Sequence, residues 1–149
     1  VVSTTKEACL ASARTARNIG VDRLLGGTHV EAMLALLEGS GIAYYPFPGR
    51  PQGHPTRLAG DAADVAADCR RLEACGSAGV DLLAYRALDA EPLNLIRAAR
   101  DSTGGALVVA GSIDSPARIR DIAAAGRDAF TNGGAALGGS LSPRKGRLE

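Results

Sequence analysis

Tryptophan is absent from this sequence, and three tyrosines and two phenylalanines are its whole aromatic complement in 149 residues. Few side chains are therefore available for stacking nucleic-acid bases. No sign of charge dominates: 17 Lys and Arg oppose 16 Asp and Glu, for a formal net charge of +1. That balance lacks the footprint of a nucleic-acid binder or a polybasic membrane segment. No apolar run approaches the roughly 20 residues of a membrane helix. Lys6 and Glu7 break the apolar start, so no signal peptide is visible and a cytoplasmic protein is expected. Cysteine is scarce: Cys9, Cys69 and Cys75 are irregularly spaced, without a C-x-x-C and with no histidine beside them. The pattern predicts free thiols and no metal site. A G-x-G-x-x-G after a strand and a G-x-x-x-x-G-K-[ST] are also missing, so no cofactor is predicted.

What is present is small. Glycine contributes 19 residues and alanine 28, a density that suits close packing of helices on a sheet. Apolar runs and periodic segments alternate along the chain. Strands are expected at the end of 1–4, at Val21–Leu25, Ile42–Phe47, Val80–Ala84, Ala106–Ala110 and from Ala129 to Thr131. Helices are expected over Lys6–Asn18, His29–Glu38, Asp61–Cys75, Ala90–Ser102 and Ser115–Ala125, with a long loop at Arg50–Gly60. Gly20-Val21-Asp22, Gly79-Val80-Asp81 and Gly126-Arg127-Asp128 read as one repeated device. In each, a glycine ends a helix and an aspartate with a structural role opens the next strand. The alternation predicts an α/β fold, a single domain spanning residues 1–149 with about six βα units feeding one parallel sheet. A closed barrel of eight such units needs about 200 residues or more, so the sheet is expected to be incomplete.

Two stretches carry a resemblance. Ala106-Leu107-Val108-Val109-Ala110-Gly111-Ser112-Ile113-Asp114-Ser115-Pro116, followed by Ala129-Phe130-Thr131-Asn132-Gly133-Gly134, resembles the end of the phosphate-binding (β/α)8 barrels. These include the histidine-biosynthesis barrels and their sugar-phosphate epimerase and decarboxylase relatives. Gly20 to His29, Ile42 to Arg50 and Gly79 to Arg86 look like an uncharacterised bacterial branch of that superfamily. The resemblance implies that the chain corresponds to barrel strands three to eight. It implies a phosphate cup made by Gly111 and Ser112 together with Gly133 and Gly134. In the last strand Asn132 stands where the family has an aliphatic residue, and Gly134 where it has a hydroxyl.

The remaining candidates follow from position. Groups after a strand's C-terminal end face the mouth of such a fold, where chemistry is done. Tyr85 and Arg86 follow one strand, and Arg50 and His54 lie on the longest loop. His54 and Arg86 are the candidate catalytic residues, and Arg50, Tyr85 and His29 the candidate substrate contacts. No pair of carboxylates and no lysine occupies the strand tips, which disfavours a two-aspartate acid–base scheme and a Schiff base. The expected function is an isomerase, epimerase or lyase acting on a phosphorylated small molecule. The alternatives are a non-catalytic ligand-sensing regulator on the same fold and an inactive truncated barrel. Unpaired sheet edges predict a homo-oligomer, and neither nucleic acid nor membrane is an expected partner.

Overall fold

A computed structural model describes residues 3–132. Helix α1, Lys6–Ile19, starts where the Thr5 hydroxyl accepts a hydrogen bond from the Ala8 amide and ends at Gly20. Strand β1, Arg23–Leu25, follows, then α2, Val30–Leu37, and β2, Ala43–Tyr45. Two short strands come next, β3 (Arg50–Gln52) and β4 (Arg57–Ala59). Helix α3, Ala62–Ala74, opens with a capping box, in which Asp61 accepts from the Ala63 and Asp64 amides and Asp64 returns a bond to the Asp61 amide. Strand β5, Gly79–Leu82, leads into a 3₁₀ turn at Ala84–Arg86. Helix α4, Pro92–Ser102, strand β6, Ala106–Val109, helix α5, Pro116–Ala124, and strand β7, Ala129–Phe130, complete the series.

The main strands are all parallel. β1 pairs with β2, and β5 with β6 and then β7. Two backbone bonds join the groups: the Ala78 amide donates to the Tyr44 carbonyl and the Asp81 amide to the Pro46 carbonyl, both at 2.9 Å. The sheet order is thus β1-β2-β5-β6-β7. Helices alternate with these strands, as in a (β/α) barrel, and the described residues form only part of one. Val80, Leu82, Leu107, Val109 and Tyr44 pack with Cys9, Met33, Leu72, Ile96 and Ile122 in the core between sheet and helices. No helix among the described residues is long and apolar enough to cross a membrane.

Three expectations need correction. Of the strand expected at the end of 1–4, Ser3 and Thr4 are not in a strand, and residues 1 and 2 lie outside the described residues. The stretch 50–60 is not an irregular loop but an antiparallel hairpin, β3–β4, with Pro51 opposite Leu58. Leu58 is fully buried, and β4 bridges to Ala87, so the hairpin is tied down beside the end of β5. The Gly-x-Asp device also fails at one of its three places. Helix α3 is ended by Cys75 and Gly76, and Gly79 lies inside β5 instead of before it. A Cβ on Gly79 would stand 2.0 Å from the Ala106 carbonyl oxygen, so close approach of β6 is what requires glycine there.

Candidate functional site

All five parallel strands deliver their C-terminal ends to one side of the sheet. The segment after β5 turns through Leu83 into the 3₁₀ turn that carries Tyr85 and Arg86. The segment after β6 turns at Gly111 and Ser112, with φ of +80° and +57°. Ser112 is the only non-glycine residue with positive φ among the described residues. Such a conformation costs an ordinary side chain about 1–2 kcal/mol and persists where the surroundings impose it.

These two turns meet. A Cβ on Gly111 would lie 2.7 Å from Arg86 Nε and 2.9 Å from its Cδ, so the arginine side chain lies directly against the glycine backbone. Arg86 is half-buried, and its Nη1 donates to the Thr56 carbonyl at 3.4 Å, from the turn of the hairpin. No carboxylate among the described residues pairs with it. Its neighbour Arg118 is differently placed. Arg118 lies over the Tyr85 ring, 4.8 Å from the centroid, and its Nη1 donates to the Ser112 carbonyl and, at 2.9 Å, to Asp114 Oδ1. Burial, and to a lesser degree Asp121, raise the Tyr85 phenol above its ordinary value, while Arg118 lowers it. Helix α5 begins here, with the Ser115 hydroxyl accepting from the Arg118 amide. Its positive end adds to a cationic strand-end surface in which Asp114 pairs with Arg118 and no described carboxylate pairs with Arg86.

Of the residues expected from sequence, the structure brings together Tyr85, Arg86, Gly111 and Ser112. His29 sits at the start of α2, after β1, where its Nε2 is 3.1 Å from the Thr4 carbonyl. A carbonyl only accepts, so Nε2 is the donor of this bond. Arg50 does not join the cluster: it pairs with Asp64 at the start of α3 at 3.0 Å. His54 is exposed on the hairpin turn and makes no hydrogen bond or ion pair among the described residues. Gly133 and Gly134 lie outside the described residues. Sequence reasoning missed Arg118 and Thr56. The Asp114–Arg118 spacing of four across a helix start is a signal that would have found the first. Among the described residues no group of three or more His, Cys, Asp or Glu is placed to hold a metal ion.

Solved structures resemble this arrangement. The *Amycolatopsis orientalis* BexX/CysO complex matches with a TM-score of 0.63 and 22% identity over 91% of this chain and 55% of that one. A FabK (M276A) mutant from *Thermotoga maritima* matches at 0.60, with 14% identity over 79% of this chain and 36% of that one. The carboxyl transferase domain of *Rhizobium etli* pyruvate carboxylase, with pyruvate and biocytin, matches at 0.59 and 14% identity over 87% and 24%. The fold is of (β/α)-barrel type. The chain spans about half or less of the length of these structures. At these identities the likeness is one of fold. No protein-family model matches the chain, and no curated protein matches it.

Proposed function

We propose that this chain is the phosphate-binding part of a (β/α)-barrel enzyme that acts on a sugar phosphate or a related phosphorylated metabolite, by isomerase, epimerase or lyase chemistry. One observation carries the reading: Arg86, without a carboxylate partner among the described residues, lies against the Gly111 backbone between two adjacent strand ends. A guanidinium presents a planar fork of donors matched to a phosphate. The glycine keeps the strand end free of side-chain bulk beside it. A non-catalytic sensor is the second reading, favoured because Asp114, the carboxylate that follows β6, is already held by Arg118.

Thermal-shift titration with inorganic phosphate, a panel of sugar phosphates and a sulfate control tests the proposal. A saturable rise in Tm is expected, equivalent to about 2.7 kcal/mol at one hundred times Kd. Arg86→Ala is expected to lose most of that rise while staying folded, and Arg86→Lys to keep part of it. A sugar-phosphate response of equal size in the wild type and in Arg86→Ala would refute the site.

A further inference from the structure

We propose that Asp81 is the proton-transfer residue of this site, removing the proton α to the carbonyl of a bound sugar phosphate and returning it to the neighbouring carbon. The proposal rests on the phosphate-binding reading above and adds the group that would do chemistry there.

Its position is the first reason. At α1, α5 and α3 the next strand begins three residues after Gly20, Gly126 and Gly76, at Arg23, Ala129 and Gly79. Two residues after each glycine stand Asp22, Asp128 and Ala78. Asp128 shows what a structural aspartate does there: its Oδ2 accepts from the Leu107 amide and pairs with Arg100, both at 2.7 Å. Asp81 is three residues further on, inside β5, and has no such work.

Its face is the second. Val80 and Leu82 point into the helix-covered core, so by alternation Asp81 points to the opposite face, the barrel-interior side, with its register partner Val108. The same strand ends in the turn that carries Arg86. An unsatisfied carboxyl oxygen is the third. Asp81 is 4% exposed, and its buried Oδ1 has no hydrogen-bond partner among the described residues. Buried polar groups in folded proteins are almost always satisfied, and one left alone costs stability. Tyr44 shares that deficit at its hydroxyl, but it belongs to the core cluster with Cys9, on the helix side of the sheet. Burial also pushes the Asp81 carboxyl up to about 7, against a smaller lowering by the positive amino terminus of the chain, so both of its protonation states are available near neutral pH.

The step balances without another reagent. The carboxylate takes the proton as the C–H bond breaks, and the electron pair forms the C=C of an enediolate with its charge on the former carbonyl oxygen. The resulting acid returns the proton to the adjacent carbon, the hydroxyl proton of the first carbon passes to the former carbonyl oxygen as the new C=O forms, and the carboxylate is regenerated.

Proton NMR in deuterium oxide, with a panel of ketose and aldose phosphates, reads this directly as wash-in of solvent deuterium. Phosphate binding is scored separately by thermal shift. Wild-type protein is expected to exchange at least one substrate. Asp81→Asn and Asp81→Leu are expected to bind phosphate as before, to exchange at least 100-fold more slowly, and to melt roughly 2–6 °C higher. Exchange at wild-type rate in Asp81→Asn overturns the assignment, as does unfolding of both variants, which would make Asp81 structural. Binding without exchange in the wild type refutes Asp81 alone. Absence of phosphate binding refutes the site on which it rests.

Discussion

At the residue scale, Asp81 makes a pH prediction that needs no ligand. Its carboxyl is raised by burial to about 7 in the fold, against 3.8 for the free group. Between those values the unfolded chain has released the proton and the folded chain still holds it. The native state therefore binds more protons, and stability falls as pH rises through this window. Below about pH 4 both states are protonated and the penalty vanishes. Urea denaturation should show Asp81→Asn gaining on the wild type between pH 4 and pH 8 by roughly 2–4 kcal/mol, an order-of-magnitude conversion of the shift. Parallel pH profiles for the two proteins would contradict this. Ser112 gives a second residue-scale test. Its left-handed backbone predicts that Ser112→Gly stabilises by about 1 kcal/mol, measured in the same way. The sequence made Arg86 and Gly111 legible because both directly follow apolar strand runs. Asp81 was hidden because the tripeptide Gly79-Val80-Asp81 matches two true helix-to-strand junctions, and spelling alone does not show that α3 had already ended at Gly76.

At the element scale, legibility followed the strength of local chemistry. The starts expected at Lys6, Asp61 and Ser115 fall within one residue of those of α1, α3 and α5, and in the structure Thr5, Asp61 and Ser115 each cap the helix that follows. For α3 the cap satisfies two amides at once, at 2.9 Å each. Asp61→Ala is expected to cost about 1 kcal/mol, seen as a lower urea midpoint with an unchanged slope. The hairpin β3–β4 was not visible, because Pro51, Gly53 and Pro55 are turn residues that read as loop. What holds it is tertiary. Leu58 is inserted into the core, and the Leu88 amide donates to the Leu58 carbonyl at 2.9 Å. The same hairpin brings the Thr56 carbonyl to Arg86, so a segment expected to be a loop bearing site residues meets the arginine through its backbone. That also explains why Arg50 and His54 share an element with the site without entering it.

At the scale of the whole molecule, the sheet decides which parts open together. β5 has β2 on one side and β6 on the other, and β6 lies between β5 and β7. Their core-facing residues Val80, Leu82, Leu107 and Val109 are at most 1% exposed. Among the described residues the β3–β4 pair joins no larger sheet, its ties being the Leu58 anchor, the Arg50–Asp64 pair and the Thr56–Arg86 bond, and Arg50, Gln52 and Arg57 are exposed. Opening the central strands requires breaking the core, whereas opening the hairpin turn does not. Native-state amide exchange should therefore be slowest at Val80, Leu82, Leu107 and Val109 and faster by several orders of magnitude at Gln52 and Gly53. Phosphate, if held by Arg86, should slow the hairpin selectively, because the Thr56 carbonyl ties that turn to the liganded arginine. Equal protection in hairpin and central strands would mean that the hairpin belongs to the cooperative core. Ligand protection confined to β6 would mean that the Thr56–Arg86 contact does not couple the hairpin to the site.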